Sequence, residues 1–199
     1  PTYVTANMAP DQPQILGIDG DVAYNVAATG MVTRAADQVA KDRHTELFHH
    51  PIGALRAALS EGAQLTNARK EGNDDVIDVT QGSDKFTLYV DISTRLPSKV
   101  VTITYNANLG DVAMTTEFGE YADSDGMKLP GKITSKTDKY VTADIRVSKT
   151  TVNADVGNLE ASADAKAAGE PPVTAPVKGE EGGTGTWYFA GGKATRILA

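Results

Sequence analysis

The sequence predicts a mainly β (α+β) fold: a curved antiparallel sheet or half-barrel of long hairpins packed on a short helix or helix pair. Three observations lead there. Between residues 13 and 157 the dominant hydrophobic period is two, turn residues interrupt it at short intervals, and one stretch departs from it toward helical spacing.

In chain order, residues 1–12 (PTYVTANMAPDQ) carry two prolines and no periodicity, and read as an N-terminal arm. From Asp42 to Ser60, residues Leu47, Phe48, Ile52, Leu55, Ala58 and Leu59 fall near helical spacing. Pro51 should interrupt or kink that helix, or start a second one at its first turn. Phe86, Leu88, Val90 and Ile92 then alternate with Thr87, Tyr89 and Asp91. Val101, Ile103 and Tyr105 alternate with Thr102 and Thr104. Val112, Met114, Thr116 and Phe118 form one face of a further strand, and Val141, Ala143, Ile145 and Val147 one face of another. Each named set is expected against apolar surroundings, with the opposite face wet. Turn chemistry at Gln81–Asp84, Asn108–Asp111 and Asp123–Gly126 joins the strands as a meander. A helix or helix pair on the apolar face would bury both stripes, although strands at this density could also close into a barrel. Two similar stretches, Thr94–Val100 and Met127–Ile133, place Leu-Pro at a strand start, where proline is tolerated because it has no ladder hydrogen to donate.

The composition changes at Asn158. Residues 158–186 are rich in Ala, Gly, Pro, Glu and Lys, bury too little apolar surface to offset their ordering entropy, and read as a linker. Residues 187–199 open on Trp187-Tyr188-Phe189 and read as a terminal strand, the start of a missing domain or a piece completed by a partner. The main block, residues 13–157, is the one expected to fold as a β domain.

Of 199 residues, 40% are apolar and 23% charged, a globular balance. Nineteen Lys+Arg face 26 Asp+Glu, a net charge of −7, which excludes a nucleic-acid partner held by a basic field. The longest apolar runs fall far short of the roughly 20 residues of a spanning helix, so no transmembrane segment is expected. With no cysteine, disulfides, thiolate metal sites and cysteine nucleophiles are excluded. The chain begins at Pro1, so an initiator Met and any signal peptide are expected to precede it.

The residues that could carry chemistry do not assemble. His44, His49 and His50 share the helical segment, but none stands at i, i+4 to another with an intervening Glu, as a zinc-protease helix requires. Helix-end or surface roles are expected for them. Asp74-Asp75 and Asp123 with Asp125-Gly126 are acidic clusters; the second resembles the start of a calcium loop, yet Thr134 occupies the position of the closing Glu, and a solvated turn is the better reading. The glycine runs at 182–185 and 191–192 do not open a helix after a strand, and no Gly-x-Ser-x-Gly elbow occurs. No catalytic, cofactor-binding or metal residue is assigned.

A resemblance adds to this reading. Glu117–Pro130 (EFGEYADSDGMKLP) resembles the F-x-x-Y-x-D-x-D-G-x-K-L-P signature of bacterial envelope domains similar to the outer-membrane lipoprotein carrier fold. Asp21–Ala27, His49-His50-Pro51 with Leu55–Ala58, and Thr104–Val112 further resemble the N-terminal region of some bacterial metallo-β-lactamase-fold hydrolases. Gly185–Gly192 (GTWYFAGG) matches the strand that opens their catalytic domain. The likeness covers most of residues 13–192. The His-x-His-x-Asp-His zinc motif of that family does not occur here, so zinc is implied only for a hydrolase domain beyond this chain, and Lys193-Ala194-Thr195-Arg196 stand where Ser and histidines often follow. The resemblance implies a non-catalytic N-terminal accessory module of a hydrolase, periplasmic or extracellular, meeting a downstream hydrolase domain or another subunit through residues 187–199. Two alternatives stand beside it: an envelope carrier-like protein that binds a lipid or other amphiphile in its sheet, and a structural subunit that assembles by strand addition.

Overall fold

The computed structural model describes residues 2–7, 14–106, 110–171, 185–190 and 193–198. In chain order its elements are β1 (Thr2–Asn7), β2 (Gln14–Asp19), β3 (Val22–Val26), β4 (Val32–Arg34), α1 (Asp37–Phe48), α2 (Pro51–Ala58), β5 (Gln64–Glu71), β6 (Asp74–Gln81), β7 (Asp84–Asp91), β8 (Pro97–Asn106), β9 (Gly110–Ser124), β10 (Met127–Thr137), β11 (Tyr140–Arg146), α3 (Ala163–Ala167), β12 (Gly185–Ala190) and β13 (Lys193–Leu198). Two compact units emerge, one of residues 40–159 and one of residues 1–39 with 160–199.

Seven strands of the first unit form one antiparallel meander, in the order β11-β10-β9-β8-β7-β6-β5. The sheet is curved and open, with β5 and β11 as its edges, so the barrel alternative falls away. Its register explains its core. Val79 stands opposite Phe86, Ile77 opposite Leu88, Leu88 opposite Val100, Val100 opposite Thr116 and Phe118 opposite Ile133, which places these residues on one face. Phe48, Ala54 and Ala57 of the helices cover that face, and the Phe48 and Phe86 rings stack with centroids 4.8 Å apart.

Pro51 starts a second helix, the last of the three outcomes open to it, and His50 serves as the N-cap of α2. The corner is tight. A Cβ on Gly53 would fall onto the backbone carbonyl oxygen of Leu47, so only glycine lets the helices turn there.

Two of the expected strand faces are corrected. Val101, Ile103 and Tyr105 do not point into the core; Val100 and Thr102 are buried, while Ile103 and Tyr105 are 66% and 75% exposed. Valine at both 100 and 101 makes either parity of β8 look apolar, and pairing with β7 and β9 chooses the even one. In the stripe on β11, an edge strand, Val141 and Ile145 are likewise exposed and Ala143 is half-buried. The faces named for β7 and β9 hold: Phe86, Leu88, Val112, Thr116 and Phe118 are buried.

Of the expected turns, Gln81–Asp84 lies between β6 and β7 with Gly82 at φ +59°. Asp125 at φ +50° and Gly126 at φ +81° make the two-residue turn of the β9–β10 hairpin. The turn at Asn108–Asp111 lies partly outside the described residues. Pro97 opens β8, as expected of a strand start. Pro130 is inside β10, beyond the point where β11 pairing begins at Lys132, so its missing N–H leaves no gap in that ladder.

In the second unit, β1-β2-β3-β4 form an antiparallel sheet. Tyr24 packs its ring over Gly17 on the neighbouring strand, filling the space a Cβ would need. Residues 2–7 of the expected arm are β1; residues 8–13 lie outside the described set. Residues 160–171, within the stretch expected as linker, include α3 and are tied down. Ala161 and Ala165 pack on Tyr24, Lys166 pairs with Asp19 at 2.8 Å, and Arg34 donates to the Ala168 carbonyl at 2.7 Å. Residues 172–184, including the glycine run at 182–185 up to its last member, are outside the described residues. Where one terminal strand was expected over 187–199, β12 and β13 pair as a hairpin; Gly191, Gly192 and Ala199 are not described.

Candidate functional site

An irregularity in β5 creates the site. Thr66 stands opposite Asp78 and Arg69 opposite Val76, so Asn67 and Ala68 oppose the single residue Ile77. Asn67 takes the left-handed conformation, φ +52°, which asparagine tolerates better than most residues. The strand bows there and opens a groove of about 420 Å³ lined by Val76, Ile77 and Val90, with Ala68, Arg69, Lys70 and Asp75 around them. Ile77 and Val90 also pack against the helix-covered core, so the floor of the groove is continuous with it.

Most charges around the groove are paired. Arg69 donates to Glu71 at 2.7 Å and to Asp78 at 3.2 Å. Asp78 also accepts from Asn67 at 3.0 Å and from Thr87 at 2.9 Å. Tyr89 donates to Glu71 at 3.1 Å, and the Lys99 ammonium sits 3.8 Å from the Tyr89 ring centroid. Lys70 stands directly opposite Asp75, which pairs at 3.5 Å with Arg95. The Arg69 hydrogen bond holds the Glu71 carboxyl below the usual range, and the Asn67 amide does most to lower that of Asp78. Arg69 and Asp75 at the rim are thus each paired with an opposite charge.

His49 lies elsewhere, in the corner between α1 and α2. Its Nε2 is 2.8 Å from Thr102 Oγ1 on β8, its Nδ1 is 2.9 Å from Thr116 Oγ1 on β9, and Thr116 Oγ1 is 3.2 Å from Ser135 Oγ on β10. Thr102 and Thr116 are 2% and 3% exposed. Burial pushes the ring down to about 4, so it is neutral at pH 7. Both nitrogens are occupied by hydroxyls, so the ring joins helix to sheet and has no free lone pair to offer as a general base. His50 differs: its Nδ1 accepts from the Ile52 N–H at 3.4 Å.

The other residues singled out in the sequence do not converge. Among the described residues no group of three or more His, Asp or Glu side chains is placed to hold a metal. Asp123 accepts from the Gly126 N–H at 3.1 Å and closes its own turn. Thr134 bonds Asp144 on β11 instead. Asp74 accepts from Ser98 at 2.6 Å. The groove has no signal in the sequence: β5 (Gln64–Glu71) shows no apolar alternation, and Asn67 within it is the one hint of a bulge.

No protein-family model matches the chain, and no curated protein matches it. Among solved structures, the crystal structure of LolA superfamily protein NE2245 from Nitrosomonas europaea is similar, with a TM-score of 0.41 and 13% identity. The match covers 66% of this chain and 61% of that one, so it spans less than two thirds of that protein's length. Likeness at that level assigns no family.

Proposed function

We propose that the chain is a carrier-like module that binds one apolar chain of a lipid or other amphiphile in the groove at the β5 bulge. The observation that carries this is the groove itself: about 420 Å³, with half-buried Ile77 and Val90 as its apolar surface, and open along one side. That volume falls in the lower part of the usual ligand range. With Arg69 and Asp75 already paired at the rim, the polar end of the ligand stays in water and headgroup charge has little influence on affinity.

Strand addition draws no support from the seven-stranded sheet. Both of its edges carry a register irregularity, in β5 between Thr66 and Arg69 and in β11 opposite Ser135–Lys136. Bulged edges oppose pairing with another chain. We keep one second reading, a hydrolase accessory module, on the match of Gly185–Gly192 to the opening strand of that family; the binding role proposed here is compatible with it. Work in the cell envelope rests on the same resemblance. Native mass spectrometry of gently purified chain tests the binding role: a co-purifying species of lipid mass is expected, and its repeated absence after purification without detergent contradicts it.

A further inference from the structure

Two neighbouring histidines hold the corner between α1 and α2, and each does so as a neutral ring. His50 caps α2 by accepting the Ile52 N–H at Nδ1, which only an unprotonated nitrogen can do. His49 spans β8 and β9 through Thr102 and Thr116, with Ser135 of β10 next in the chain of hydroxyls.

Nothing on the facing strands would balance a cation at His49. On that face of the sheet, positions 100, 102 and 104 of β8, 114, 116 and 118 of β9, and 133, 135 and 137 of β10 carry only apolar and hydroxyl side chains. On its two turns before His49, α1 carries Lys41, Asp42, Arg43, His44 and Glu46, of which Lys41 and Asp42 are exposed; His50 is the N-cap of α2, and α2 itself carries Arg56. Glu46 is exposed and Arg43 is itself a cation. A second proton on His50 would add like charge beside the first and remove the cap from α2.

We propose that the His49–His50 corner is an acid-sensitive latch: when it is protonated, the helix pair comes away from β8, β9 and β10 while the strand ladder persists. This does not depend on the ligand reading, and it fails or stands separately.

Hydrogen exchange read by mass spectrometry on the full chain, corrected for the intrinsic pH effect, tests it. A ring that stays neutral to about 4 when latched and titrates near the ordinary 6.5 when released makes the opening constant rise about 30-fold between about pH 7.5 and pH 5. Residues 40–60 should lose protection by that factor while β7, β8 and β9 keep theirs. In the double variant His49→Gln with His50→Asn the pH dependence should vanish. Unchanged protection of residues 40–60, loss in step with the strands, or pH dependence that persists in the variant each overturns the latch. If the variant does not fold, the His49 ring is titrated by NMR in the unaltered chain. A midpoint below about pH 5 supports the latch and one near 6.5 overturns it.

Discussion

Replacing Thr102 by valine tests how far one hydroxyl holds the helix corner to the sheet. The side chains are nearly the same shape, so the change removes the Oγ1 that lies 2.8 Å from His49 Nε2 and little else. Thr102 is 2% exposed, so no water replaces it without rearrangement. A ring nitrogen left facing a methyl group costs about 1–3 kcal/mol, and relief of the threonine's own burial offsets part of that. We expect a net loss of about 2 kcal/mol, equivalent to a fall in Tm of roughly 6–10 °C for a unit of this size. Urea unfolding followed by far-UV circular dichroism near neutral pH measures it, with m unchanged. The cycle with His49→Leu is the sharper comparison. With both partners apolar, the double variant should lose about 1 kcal/mol less than the sum of the singles. A cost below about 0.5 kcal/mol for Thr102→Val, or strict additivity, would refute the claim that this bond holds the corner.

Acid should weaken the fold through His49 before the carboxylates matter. The folded chain holds the ring neutral, so its stability is whole above pH 6.5 and is lost as pH falls toward 4, by at most about 3 kcal/mol; a urea midpoint that stays flat from pH 7 to pH 5 contradicts this. Gly53→Ala drives a methyl group into the Leu47 carbonyl and should destabilise by about 1–3 kcal/mol despite alanine's better helix propensity, so a higher Tm would show that the corner can relax. Residues 40–159 are proposed to fold on apolar burial, so EDTA should leave Tm unshifted; a fall of several degrees that zinc or calcium reverses would reopen His44, His49 and His50 or Asp123 and Asp125 as ligands.

Legibility in the sequence followed local contrast. In β7, apolar Phe86, Leu88 and Val90 alternate with Thr87 and Tyr89, so one parity stands out; Phe86 and Leu88 are in the helix-covered core and Val90 packs against it. In β8 both Val100 and Val101 are apolar, and only the register against Leu88 and Thr116 decides which is inside. Strand β5 offers no apolar alternation because an edge strand exposed along its length needs none. Its bulge, and the groove that follows, depend on pairing with β6 that no local pattern announces. The role of His49 was hidden for the same reason: its partners Thr102 and Thr116 lie 53 and 67 residues away and look like ordinary strand threonines.

The groove at the β5 bulge carries the functional account, and one titration addresses it directly. Ala68 lines the groove from the exposed edge strand, so Ala68→Trp should fill it without touching the core. The full chain is titrated against a dansylated fatty acid, and the bound probe is displaced with zwitterionic or anionic lysophospholipid. The account predicts micromolar affinity, on the order of −8 kcal/mol, similar displacement by both headgroups, and loss of binding in Ala68→Trp with an unchanged melting temperature. Ile103→Trp, at an exposed position on β8, should bind as the unaltered chain does. Probe binding that survives Ala68→Trp, or no binding by the unaltered chain, contradicts the account.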